Sequence, residues 1–325
     1  MDKGSASTPP STLTPTEIRV HEKLRRDLGV LFTNALSNPQ TIEIMLNADG
    51  SLWHEMLGQE MVKIGTLNPI KAEAAMRTIA SALGTTITEK NPILEGVLPL
   101  DGSRFAGWIP PIVAAPTFSV RKKAGLIYTI DDYVSQGTMT EQQAAAIRKN
   151  VERHRNILVI GGTGSGKTTL TNAIISEIVK QNPNERIFII EDTGEIQCSA
   201  VNSVQFYTSL NTTMTDLLKT TLRGRPDRIL VGEVRGGEAL DLLDAWNTGH
   251  EGGIATLHAN DAHAGLSRLK SLITRNPAAP KDIEPLIGEA VHCVVHIAKK
   301  NQRRKVQDIL EIKGYQNGRY ITCSI

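Results

Sequence analysis

Nine consecutive residues carry the clearest chemistry in the chain: Gly161, Gly162, Thr163, Gly164, Ser165, Gly166, Lys167, Thr168 and Thr169. Positions 161–168 fit the spacing G-x-x-x-x-G-K-[ST]. Such a loop wraps a polyphosphate. Glycine lets backbone N–H groups approach the oxygens, and the start of the next helix adds partial positive charge. Lys167 would reach the β- and γ-phosphates of a nucleoside triphosphate, and the Thr168 hydroxyl would sit on Mg²⁺. The bland alternative is a glycine turn that ends a strand. A chance match to the full pattern in a chain of this length is on the order of one in a hundred. The context also fits, with the apolar run "NILVI" before the loop and the helix-like "TLTNAI" after it.

A phosphate loop needs an acid to hold metal and orient water, and in open α/β sheets such groups lie at the carboxyl ends of strands. Three apolar runs end in polar clusters. "FIIEDTGEI" ends in Glu191 and Asp192, with Glu195 after them. "ILVGEVRGGE" ends in Glu233, the Walker B arrangement with Gly232 and Glu233 in place of a plain aspartate. Glu233 could polarise water or hold Mg²⁺ through water. "GIATLHAND" ends in His258, whose neutral imidazole could sense or orient a γ-phosphate. Each alone has a bland reading as a solvated strand end; three beside one phosphate loop are harder to dismiss. His250 in "NTGHEGG" is as well explained by loop structure.

Arginine stabilises charge on a transferring phosphoryl group. Arg223, Arg225 and Arg228 cluster just before the Walker B run, and Arg104 and Arg121 lie far upstream. Taken singly, an arginine near a strand end is usually a surface ion-pair partner. The basic run "KKNQRRK" at 299–305 reads as a solvated loop rather than a DNA site.

The elements that must position these residues follow from apolar patterning. Near-continuous apolar runs at 156–161, 186–192, 228–233 and 253–258 alternate with helical stretches, which implies a parallel sheet buried on both faces. "MTEQQAAAIRKNVERH" reads as a helix capped by Thr140, and the tail "ILEIKGYQNGRYITCSI" as a hairpin around Asn-Gly. Upstream, "TEIRVHEKLRRDLGVLFTNAL" and "NPIKAEAAMRTIASALG" read as helices, the second stopped by Gly84. "TIEIMLNADGSLWHEM", "LDGSRFAGWIPPI" and "TFSVRKK" read as strands. The expected organisation is a disordered Ser/Thr/Pro-rich tail at 1–15, a small α+β domain at 16–130, a linker at 131–139, and an α/β domain at 140–325.

The chain has 325 residues, 40% of them apolar, with a net charge of only +2. Bulk charge therefore does not argue for nucleic acid or an acidic membrane. No run approaches the ~18 apolar residues of a membrane span, and no apolar signal core opens the sequence, so a cytoplasmic protein is expected. Cys198, Cys293 and Cys323 form no CxxC pair, which argues against a zinc site or disulfide framework.

Four motifs now stand in a recognisable order: "GGTGSGKTT", "IIEDTGEI", "RPDRILVGEVRGGEA" and "TGHEGGIATLHAND". Together they resemble the ATPases of the secretion superfamily, which power type II secretion, type IV pili and type IV secretion. "DGSRFAGWIPP" and "FSVRKK" are similar to the type IV secretion branch, and the tetracysteine zinc module of the type II branch is absent. The resemblance covers roughly residues 20 to 312. It implies an N-terminal α+β (PAS-like) domain over a RecA-like P-loop motor domain, assembled as a homohexamer, with ATP in the cleft between the domains. It assigns Lys167 and Thr168 to the phosphate loop, Glu191 and Asp192 to the acidic box, Glu233 to Walker B, and His258 to the histidine box. Arg104 and Arg121 match N-terminal-domain arginines that reach the nucleotide. The expected catalytic set is Glu233, Lys167, His258 and Glu191, and the expected metal set is Thr168, Glu233 and Asp192. The implied partners are inner-membrane secretion-channel components and a coupling protein, with peripheral contact at the cytoplasmic face of the inner membrane.

A translocase acting directly on DNA is the principal rival; the near-neutral charge counts against it. A non-hydrolysing scaffold locked by nucleotide is the second. A small-molecule kinase is a poor third, because no substrate lid is evident between the phosphate loop and the Walker B run.

Overall fold

A computed structural model of the chain describes residues 13–123, 127–209, 211–300 and 303–325. They fall into two units, Met1–Gly125 and Leu126–Ile325. Most of the tail expected at 1–15 lies outside the described residues; Thr14 already caps the first helix.

The first unit opens with α1 (Pro15–Ser37), where Thr14 and Glu17 form a capping box and proline takes the first helical position. The helix kinks at Gly29, which has φ 80°. Then come β1 (Thr41–Leu46), β2 (Ser51–Met56), β3 (Val62–Thr66), α2 (Pro69–Ala82), β4 (Ile93–Val97), β5 (Arg104–Trp108) and β6 (Thr117–Arg121). The strands make one antiparallel sheet in the order β3-β2-β1-β6-β5-β4. One face is apolar: Ile44, Leu46, Phe105, Phe118 and Val120 bury Phe32 of α1 and Met76 and Ile79 of α2. Phe32 meets Phe118 edge-on at 5.8 Å. On β5 and β6 the buried residues alternate with more accessible ones, and Arg104 and Arg121 occupy the accessible positions directly opposite one another.

The second unit begins earlier than the sequence suggests. The stretch 131–139 is not a linker: α3 (Ile130–Ser135) is started by a Thr129–Asp132 capping box, and Ile130, Tyr133 and Met139 are buried in this unit's core. The elements continue as α4 (Glu141–Glu152), β7 (Ile157–Ile160), α5 (Lys167–Gln181), β8 (Ile187–Glu191), β9 (Ser203–Tyr207), α6 (Met214–Thr221), β10 (Arg228–Val231), α7 (Glu238–Asn247), β11 (Ile254–Leu257), α8 (Ala262–Ile273), α9 (Ile283–Ala290), β12 (Cys293–Lys300), β13 (Arg303–Gln316) and β14 (Arg319–Ser324). The sheet order is β14-β13-β12-β7-β11-β10-β8-β9. It is parallel from β12 to β9 and antiparallel across β12, β13 and β14. Every residue of β7, β8, β10 and β11 is buried. One face is covered by Ile147, Leu170, Ile174 and Ile178, the other by Leu243, Trp246, Leu266 and Leu269. The closing hairpin turns on Asn317 and Gly318, both at positive φ as a two-residue type I′ turn requires.

One buried side chain ties the amino ends of three strands. Asn156, just before β7, accepts from the N–H groups of Gly252 and Gly253 at 2.8 and 2.9 Å, and donates to the Ala290 carbonyl at 2.7 Å. Its backbone carbonyl accepts from His292 and Cys293 at the start of β12.

Candidate active site

Strand β7 runs straight into the phosphate loop. Gly164 and Gly166 hold φ 68° and 96°, left-handed values that an L side chain resists. A Cβ on Gly161 would lie 2.2 Å from the Ile297 carbonyl oxygen. Helix α5 starts at Lys167 with no side-chain cap, so its first N–H groups are left for an anion. The Ser165 hydroxyl is buried without a partner among the described residues. Both observations suit a phosphate.

Lys167 is 8% exposed and its ammonium donates to the Gly161 and Gly162 carbonyls, 3.0 Å each. It also stands 3.3 Å from His258 Nδ1. An ammonium only donates, so Nδ1 accepts and the neutral ring carries its proton on Nε2. That nitrogen lies 3.1 Å from Glu233 Oε1. The other Glu233 oxygen is 2.7 Å from Arg235, whose second terminal nitrogen is 2.8 Å from Asp192. A continuous polar chain thus runs from the phosphate loop through His258 and Glu233 to Arg235 and Asp192. Burial pushes the Glu233 carboxyl up; the Arg235 hydrogen bond and charge, with His258 and Lys167, reverse this and hold it below the usual range. The pairing with Glu233 raises the Arg235 pKa in return.

Arg235 was not among the sequence candidates. It sits in a short loop whose backbone is fixed by Glu238 at the start of α7, which accepts from Arg235 N at 2.6 Å and Gly236 N at 2.7 Å. Gly232 matters for space: a Cβ there would lie 3.0 Å from Glu191 Cγ.

Three expectations change. Glu191 is 2% exposed, and its carboxylate accepts from Glu195 N, Ile196 N and Gln205 Nε2 at 3.0, 2.8 and 2.7 Å. Burial raises its pKa against those bonds. It shapes the turn that carries Glu195, so a catalytic role does not suit it. Asp192 is engaged by Arg235 and by the Thr208 hydroxyl at 2.8 Å; the acid beside the Thr168 hydroxyl is Glu195, at 3.3 Å. Arg228 is wholly buried at the amino end of β10, bonded to Glu185 and to the Gly252 and Val151 carbonyls. The phosphate loop lies past the carboxyl end of β7, so Arg228, and Arg223 and Arg225 before it, are at the wrong end of the sheet. His250 is there too, 3.0 Å from the Pro226 carbonyl. Arg104 and Arg121 belong to the first unit, side by side on neighbouring strands.

Fold and site define a P-loop protein with a RecA-like α/β unit. Over residues 64–322 the chain matches the family described as "Type II/IV secretion system protein", and it belongs to that family. It is 46% identical to the conjugal transfer protein TrbB of Rhizobium radiobacter, over 94% of this chain and 96% of that protein. It is 32% identical to the type IV secretion system protein PtlH of Bordetella pertussis, over 84% of this chain and 91% of that protein. Two solved structures share the fold. The Legionella pneumophila ATPase DotB aligns with TM-score 0.63 at 18% identity, over 94% of this chain and 83% of that one. The pilus retraction motor PilT, solved with ADP, aligns with TM-score 0.59 at 19% identity, over 93% and 81%.

Proposed function

We propose that this chain is a Mg²⁺-dependent ATPase that powers a conjugative type IV secretion apparatus, driving pilus assembly or DNA transfer through domain motions around a homohexameric ring. The observation that carries hydrolysis, rather than binding alone, is the polar chain from Lys167 through His258 to Glu233. The near full-length similarity to a conjugal transfer protein carries the setting.

In this reading the loop backbone, Lys167 and the start of α5 bind the phosphates. Lys167 exchanges its loop carbonyls for phosphate oxygens. Glu233, ionised and aligned by Arg235 and His258, orients the attacking water and takes its proton. Among the described residues no three His, Cys, Asp or Glu side chains are grouped to hold a metal ion. Mg²⁺ keeps waters and is held mainly by one or two protein groups and the phosphates. Thr168 and Glu195 would hold it, and when bound it neutralises phosphate charge. Arg104 and Arg121 enter as contributors to turnover.

No helix among the described residues is long and apolar enough to cross a membrane. We assign the protein to the cytoplasmic face of the inner membrane, beside channel components and a coupling protein. A DNA-stimulated translocase draws no support from these relatives. Phosphate release from ATP by the purified protein tests the reading: Lys167→Ala should abolish it, and Glu233→Gln should keep ATP binding while losing turnover. Wild-type turnover in Glu233→Gln would remove Glu233 from the mechanism. Light scattering with and without ATP tests the ring.

A further inference from the structure

Of the basic run at 299–305, the structure describes Lys299, Lys300, Arg303, Arg304 and Lys305, and Arg304 lies against the phosphate loop. Strands β12 and β13 pair so that Lys299 faces Arg304 and Lys300 faces Arg303, with Lys305 next along. Like charges directly opposite one another destabilise a strand pair. None of these five side chains has a carboxylate partner among the described residues. Directly opposed residues share a face of the sheet, and residues two apart share it as well. Lys299 and Arg304 therefore lie on the face of Ile297 and Val306, while Lys300 and Arg303 lie on the other.

The face of Lys299 and Arg304 is the one turned to the phosphate loop. Ile297 Cδ1 lies 3.7 Å from where a Cβ on Gly166 would stand, and Arg304 Cδ lies 2.9 Å from the same point. Arg304 Nε donates to the Gly164 carbonyl over 3.5 Å, a long bond that leaves the rest of the guanidinium uncommitted to a carboxylate. Exposed Lys299, Lys300, Arg303 and Lys305 flank a half-buried Arg304. A merely solvated loop gives no reason to lay one guanidinium on the phosphate loop and to set a second cation across from it on the same face.

We propose that Arg304, seconded by Lys299, is a nucleotide-binding element outside the four sequence motifs: a cationic clamp on the β12–β13 hairpin that takes the phosphates of a nucleoside di- or triphosphate. The proposal rests on the reading of the loop as a nucleotide site. Arg304 supplies charge from the hairpin side, separate from Lys167 and the start of α5. It binds ATP and ADP alike, because it adds to the charge meeting phosphates in general rather than marking the γ-phosphate.

The test uses four full-length variants with the same loss of one charge, Arg304→Gln, Lys299→Gln, Arg303→Gln and Lys300→Gln, with Lys167→Ala beside them. Mg-ATP and ADP are titrated by calorimetry. Arg304→Gln should weaken both by about tenfold, as loss of a hydrogen bond to a charged group does. Lys299→Gln should weaken both by about threefold, and the two opposite-face variants by less than about twofold. Equal losses in all four, or an Arg304→Gln affinity within about twofold of the parent, overturn the clamp. If Lys167→Ala also keeps full affinity, the nucleotide reading itself falls. Melting separates binding from scaffolding. Arg304→Gln without ligand should melt no lower than the parent, since a repulsion is relieved, yet gain less from ADP; Arg304→Lys should recover most of that gain. Lower melting in both Arg304 variants, with the ADP gain unchanged, makes the residue structural and overturns the proposal.

Discussion

Replacing Arg235 with alanine should shift the acid limb of ATP turnover to higher pH. Burial alone would hold the Glu233 carboxyl up, and Arg235 is the main group that reverses it. A hydrogen bond to a charged group contributes ~1.5–3 kcal/mol. Arg235 is 46% exposed at its side chain, so screening by solvent reduces this to ~1–2 kcal/mol. At 1.36 kcal/mol per tenfold change in proton affinity, the midpoint of the limb should move up by about one pH unit. The sign is fixed: with Arg235 the carboxylate stays charged as pH falls below neutrality; without it, protonation begins sooner. Turnover in Arg235→Ala should be depressed at about pH 5 and recover by about pH 7. Arg235→Lys keeps the charge without the fork and should fall between. The assay is phosphate release at saturating Mg-ATP across that range. Stability carries the same sign. A lowered carboxyl stabilises the fold above its unfolded pKa and loses that contribution as pH falls through the folded one. The variant should therefore melt below the parent at about pH 8 and close to it at about pH 4. Superimposable acid limbs would refute the idea that Arg235 sets the charge on Glu233.

Arg228→Met should lower stability by ~3 kcal/mol, since it removes the buried guanidinium that pairs with Glu185 and caps the Gly252 carbonyl, leaving His154 as the remaining partner of Glu185; ADP affinity should be unchanged, because the residue is at the far end of β10, and a loss of affinity at full stability would contradict that placement. Gly232→Ala should cost ~1–3 kcal/mol and reduce turnover, because its Cβ presses on a Glu191 side chain held by three donors; a parent-like melting curve would show that Glu191 yields. Arg104→Ala and Arg121→Ala should each lower turnover, and the double variant should lose less than the sum, as expected of directly opposed neighbours; strict additivity would argue that they act independently.

The phosphate loop and the acids and histidine after the buried strands were legible because buried parallel strands spell unbroken apolar runs, and the first polar residues past each run share one edge of the sheet. Which end of a strand a residue occupies is harder to see. Arg228 and Glu233 are five positions apart, yet the four residues of β10, about 13 Å of strand, put the arginine at the opposite edge from the acid. Arg235 was hidden because nothing local marks a loop arginine as the bridge between two acids that are 41 residues apart in the chain. Glu195, rather than Asp192, reaches Thr168 because the turn after β8 folds back on the buried Glu191 carboxylate, a bend set by hydrogen bonds and not by apolar pattern. Helix α3 has only six residues, with two aspartates in its first turn, and resembles a loop unless its Thr129–Asp132 cap is noticed. Strand β12 passed unseen beside the hairpin that comes after it, and β3, on the sheet edge, has no buried residue to make it alternate.

Asn156 has a consequence for the site at the other end of the sheet. By holding the amino ends of β7, β11 and β12 together it sets a common origin for counting along them. Ile157 pairs with Ile254 and Ile160 with Leu257, so Gly161 and His258 are each the first residue past strands of equal length. The spacing between the Lys167 ammonium and the His258 ring is thus a matter of arithmetic as well as of side-chain contact. One residue added within β11 would slide His258 by about 3.3 Å and turn its ring to the opposite face, leaving Glu233 and Lys167 intact but unconnected. The strands work as a pair of rulers with a shared zero, and the loop lengths beyond them are free to vary only where they do not change the count.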